Sequence, residues 1–141
     1  MWILFIHPQV NIIAAFGIGF LLFRKYPFSI IAGTLFLSIW ACSELSQQAL
    51  LIDTLNQFWR PGYLSALTDT DRTIYKTLIT GVTGISDSKY FLVIYGFGIG
   101  SSLYGMALIR EYGLGKWLGV LCCLLAFLVL ASPDITSGQL S

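Results

Sequence analysis

The chain has 141 residues, 56% of them hydrophobic and 11% charged, with a formal net charge of +1. Soluble domains carry about 25% charged residues, so this chain has too few to cover a water-facing surface, and its expected solvent is lipid. A near-neutral chain without a basic stripe also excludes nucleic acid as a partner, and the length fits one domain.

A helix that crosses a membrane needs about 20 apolar residues, and four stretches approach that length. The first runs over about residues 4–23. His7-Pro8-Gln9 interrupts it, so the helix either starts at Pro8, where proline suits the first turn, or starts earlier and kinks there. Met1 to Ile6 contain no Lys or Arg, so a cleavable signal with a cationic start is not expected.

Arg24-Lys25-Tyr26-Pro27 reads as a tight turn, with Pro27 opening the second span at 27–50. That span is cleanly apolar to Cys42 and then carries Ser43, Glu44, Ser46, Gln47 and Gln48. Residues 53–89 read as a long connecting loop. Within it, Asp69 and Asp71 suit a helix start. Ile74, Leu78 and Val82 then recur on one face, which predicts a short amphipathic helix that Gly81, Gly84 and Ser86 end.

The third span is expected at 90–109 and the fourth at 113–131, joined by a turn with Arg110, Glu111 and Lys116. A frayed tail follows at 132–141. The resulting fold class is all-α: an integral membrane four-helix bundle with a short amphipathic helix between helices two and three. Both short basic turns fall on one side of such a bundle. Positive residues favour the cytoplasm, so the turns are expected inside and both termini outside.

Helices in lipid associate by close backbone approach at small residues. The third span offers Gly96, Gly100 and Gly105, and the first offers Ala15 and Gly19. These stripes predict contact between spans one and three, or self-association, or contact with another membrane subunit. Phe-Gly-Ile-Gly occurs at both 16–19 and 97–100. Each copy precedes a basic turn with a tyrosine, as a duplicated hairpin would leave.

An ionisable side chain in a membrane segment is a functional candidate. Glu44 shares a helix face with Gln47, Gln48 and Trp40, a group able to bind a cation, a proton or a polar solute. At about 1.5 Å per residue, Glu44 lies about 26 Å beyond Pro27 in a core about 30 Å thick. It is therefore expected near the far interface, paired with Lys89 or Arg60 or serving as a ligand group.

His7, the only histidine, suits an axial haem or chlorophyll ligand or an interfacial cap. Cys42, Cys122 and Cys123 lack metal or CxxC spacing and read as packing residues. Trp2, Trp59, Tyr63, Tyr90, Tyr112 and Trp117 fall near segment ends, as interfacial belts do. No hydrolase elbow, zinc-protease, phosphate-loop or dinucleotide motif occurs.

Two stretches carry a family likeness. One is the small-residue span from Ala32-Gly33 through Glu44 to Leu51. The other is Gly100-Ser-Ser-Leu-Tyr-Gly-Met-Ala-Leu-Ile-Arg110 with Gly115-Lys-Trp-Leu-Gly119. From Ile31 onward the chain resembles an uncharacterised family of bacterial multi-pass membrane proteins, a domain of unknown function. Family members often have proline where Gly115 stands, and they tend to be longer at the N-terminus. The resemblance implies a helical fold in a bacterial inner or other prokaryotic-type membrane and implies no activity, metal or cofactor.

Three functions follow as expectations. The first is a non-enzymatic accessory or structural membrane subunit. The second is a small oligomeric transporter or sensor that binds its solute at Glu44, Gln47 and Gln48. The third is a pigment- or haem-associated subunit.

Overall fold

The computed structural model describes residues 2–131, with the side chains of residues 2–4 and Asp53 left undescribed. Every regular element among them is helical. They are α1 (Trp2–Leu22), α2 (Pro27–Ala49), a π-helical stretch (Leu50–Trp59), α3 (Arg60–Ser65), α4 (Asp69–Ile109) and α5 (Leu114–Leu130). The expected frayed tail lies outside the described residues.

Local chemistry sets the helix ends. Pro8 sits inside α1, which therefore starts before it. Pro27 occupies the first turn of α2, and Tyr26, non-helical at φ −134° and ψ 57°, precedes it. Thr68 caps α4: its hydroxyl accepts from the Asp71 amide (3.1 Å) and donates to the Asp71 carboxylate (2.6 Å). This reciprocal arrangement satisfies an amide that the first turn would otherwise leave without a partner. Gly113, at φ +65°, turns the chain into α5, a conformation that other residues rarely adopt.

The expected loop at 53–89 does not exist. The chain stays helical from Pro27 to Ser65, turns at 66–68, and returns as the 41-residue α4. Gly81, Gly84 and Ser86 lie inside α4 and do not end it. The reason is energetic. A helix-interior glycine costs about 1 kcal/mol, whereas this half of α4 is held on its partner strand of helix. Val82 and Leu55 are buried, Gln47 Nε2 donates to Ser86 Oγ (2.9 Å), and Lys89 donates to Ser46. No proline occurs between Pro61 and Pro133 to break the ladder. What read as a short surface helix is thus the first half of a rod about 60 Å long.

Three helical segments are long and apolar enough to cross a membrane: α1, the continuous segment Pro27–Ser65, and α4. The fourth apolar helix, α5, is shorter at 17 residues. The four do not surround a common axis along their whole length. α2 and α4 form a central pair, with α1 packed on α2 and α5 packed on α4.

The core is built on glycines and on one tyrosine. A Cβ on Gly96 would lie 3.1 Å from the Phe36 carbonyl and the Trp40 backbone. One on Gly100 would lie 2.7 Å from Leu37 Cγ. Both glycines therefore seat α2, which corrects the expected stripe-to-stripe contact with the first span. Gly105 faces α5 instead, where a Cβ would meet Cys123 Sγ at 2.5 Å. α1 is reached by a side chain. Buried Tyr104 donates to the Ala15 carbonyl (3.0 Å), shares a hydrogen bond with Thr34 Oγ1 (2.7 Å), and fills the space over Gly19. Gly19, Gly96, Gly100 and Gly105 are all buried within the chain and are not free to join two copies.

Candidate functional site

The two short turns meet, as their expected common side requires. Lys25 Nζ donates to both oxygens of Glu111 at 2.9 and 2.8 Å, and the Arg110 guanidinium lies 5.7 Å from the centre of the Tyr26 ring. Hydrogen bonding to Glu111, reinforced by that carboxylate's charge, holds the Lys25 ammonium above the ordinary lysine value. The pair is exposed and its chemistry is that of a clasp.

At the other end, the polar tail of α2 faces α4. Gln48 Nε2 donates to Glu44 Oε1 at 3.1 Å. Neither expected cation pairs with Glu44: Lys89 turns to Ser46, and Arg60 reaches Asn56 one turn back (3.0 Å). Among the described residues the only ion pair is Lys25–Glu111, so Glu44 is a carboxylate with an amide partner and no cation. Gln47 points elsewhere on the helix surface, toward Ser86, and its Oε1 is buried without a hydrogen-bond partner among the described residues. The three polar residues therefore split. Glu44 and Gln48 act together, and Gln47 belongs to the α2–α4 seam.

Glu44 borders a cleft of about 320 Å³ to which all four long helices contribute. α1 supplies His7, α2 supplies Trp40 and Glu44, α4 supplies Tyr90 and Phe97, and α5 supplies Val129. Trp40 and Glu44 are four residues apart and so stack on one face of α2. Trp40 is buried and anchors an aromatic wall. Its ring centroid is 5.1 Å from that of Phe97 in a tilted pair and 5.9 Å from His7 in an edge-on one, distances at which such rings attract. Gly96 makes this possible, because the Trp40 backbone occupies the space of its missing side chain.

His7 Nε2 lies 2.8 Å from Asn11 Nδ2. The two side chains are one turn apart on α1 and form a hydrogen bond along the helix. Among the described residues no group of three His, Cys, Asp or Glu side chains lies close enough together to hold a metal. The three cysteines are free thiols.

The sequence placed Trp40 and Glu44 on one face. The contributions of His7, Tyr90 and Phe97 were not visible in it, because no local spacing joins positions 7, 44 and 97. No family model, no curated protein and no solved structure matches the chain.

Proposed function

We propose that the chain is a multi-pass integral membrane protein, and that it serves as a non-enzymatic accessory or structural subunit there. One observation carries the membrane reading. The charge-free stretches 2–22, 27–43, 90–109 and 117–130 fall on four neighbouring helices. The span from 90 to 109 rises about 30 Å, the thickness of a hydrocarbon core. Charges bound this slab at both ends: Arg24, Lys25, Arg110, Glu111 and Lys116 on one side, and Glu44 and Lys89 on the other. Large apolar side chains point outward from it, including Phe16, Phe20, Leu35, Phe91, Leu121 and Phe127, as lipid contact requires.

The subunit reading is supported by the use of the polar groups. Tyr104, Thr34, Ser86, Lys25 and Glu111 join helix to helix, and the exposed residues of α1 beyond Gln9 and of α5 beyond Lys116 are apolar. Positive residues at the short turns favour those turns in the cytoplasm. A second reading, a solute-binding protein acting at Glu44, is favoured by the cleft and by the missing counter-cation.

The test is an alkaline carbonate wash of native membranes, followed by mild detergent extraction and native mass spectrometry. The chain is expected to remain in the pellet after the wash and to emerge from detergent with other membrane subunits. Release by carbonate would end the membrane reading. A particle of this chain alone would end the subunit reading and leave the solute-binding one.

A further inference from the structure

We propose that the cleft between α1, α2, α4 and α5 binds a small monovalent organic cation, with Glu44 as its counter-charge and Trp40, Tyr90 and Phe97 among its walls. The inference rests on the solute-binding reading of Glu44 and names the class of solute.

Four observations converge on it. First, among the described residues Glu44 is the only charged side chain that borders the cleft. Its one hydrogen bond among the described residues is to Oε1, and it has no ion pair among them. Second, the cation best placed to neutralise it, Lys89, is drawn to Ser46 instead. Third, three aromatic residues line the same space, and aromatic faces attract cations through the ring quadrupole. Fourth, the remaining walls are Val93, Ile94 and Val129 with the His7 ring. These groups welcome alkyl carbon and offer no oxygen cage to a metal ion, which prefers several oxygen ligands. A volume of about 320 Å³ is at the small end of ligand pockets and suits a quaternary ammonium with one aryl or a few alkyl arms.

Binding needs no proton transfer and no bond making. The cation exchanges water for the carboxylate and the ring faces, and the apolar walls exclude water from its alkyl groups. Gln48 holds the carboxylate by its other oxygen, which fixes the direction in which the charge points.

The experiment uses the full chain in a nonionic detergent. Isothermal titration calorimetry is run with benzyltrimethylammonium, with its neutral carbon isostere neopentylbenzene, and with sodium. Size exclusion and circular dichroism confirm the fold of each variant. Saturable binding of benzyltrimethylammonium is expected, about tenfold or more weaker in Glu44→Gln and weaker by several-fold in Tyr90→Leu. Glu44→Asp, which retains the charge, is expected to bind. Should Glu44→Gln misfold, Tyr90→Leu and Glu44→Asp carry the decision, because Tyr90 is 40% exposed and leaves the core intact.

Equal binding of the neutral isostere overturns the proposal by showing an apolar cleft without charge recognition. Glu44-dependent binding of sodium with none of the organic cation overturns the proposed solute class while leaving Glu44 as a solute site. Absence of all binding removes both.

Discussion

At the scale of single residues, the glycines differ sharply in what they do, although the sequence writes them alike. Gly119 on α5 lies against the backbone of α4: an added Cβ would sit 2.5 Å from the Ile109 nitrogen and 2.8 Å from the Gly105 carbonyl. Neither backbone atom can rotate away, so the helices must part. Gly119→Ala is expected to destabilise the folded chain by about 1–3 kcal/mol in reversible unfolding by mixed detergent. Gly17 has nothing within 4 Å of its missing Cβ. Gly17→Ala is expected to be neutral or mildly stabilising, since alanine is the better helix former. Equal losses in both variants would show that helix propensity, and not close approach, governs these sites.

The two Phe-Gly-Ile-Gly copies show the same divergence. In one, Gly17 is open and Gly19 lies beneath Tyr104. In the other, Gly98 meets Leu130 and Gly100 meets Leu37. Repeated letters here do not mean repeated packing.

At the scale of elements, the signals that survived were those carried by adjacent residues. Tyr26-Pro27 marked the start of α2, and Asp69 with Asp71 marked the start of α4. The side shared by the two basic turns followed from helix count and was also legible. The unbroken length of α4 was not. Gly81 and Gly84 are breakers by local propensity, and what outweighs them is the pairing of α4 with residues 46–55, which no local window contains. The partner of Gly96 and Gly100 was hidden for a related reason: a small-residue stripe says that something approaches closely without saying what. Glu44's environment was half legible. Trp40 was placed beside it by helical spacing, while Lys89, its expected partner, was lost to Ser46.

The clasp between the two turns makes a prediction of its own. Lys25 holds its proton more tightly folded than unfolded. Its stabilising contribution is therefore fully present below the ordinary lysine value and is lost as pH rises through the raised one. The stability gap between wild type and Lys25→Met is expected to be constant at mildly alkaline pH and to close in strong alkali. Unfolding titrations across that range measure it, and a gap that never closes would show that the lysine stem, not its charge, is what matters.

At the scale of the whole molecule, the chain divides into a charge-free slab and a helical hairpin that extends past it. Residues 48–88 continue beyond the level of Glu44 and Lys89, and their sequence collects Asp53, Arg60, Asp69, Asp71, Arg72, Lys76 and Asp87. A membrane-impermeant maleimide is expected to label a cysteine placed at Thr70 quickly and one placed at Leu121 hardly at all, with the three native cysteines replaced beforehand. Both positions are exposed on the isolated chain, so a difference between them measures lipid cover and not packing. Equal labelling would place the slab in water.

The continuity of α4 has a mechanical meaning. Asp69 and Tyr90 belong to one rod, and the distance between them is about 31 Å. A rigid rod pivoting at the slab surface swings its free end by about 5 Å for each 10° of tilt, and Tyr90 and Phe97 turn with it because the helix is unbroken between them. The tip of the hairpin and the two aromatic side chains that α4 lends to the cleft beside Glu44 are carried by one lever.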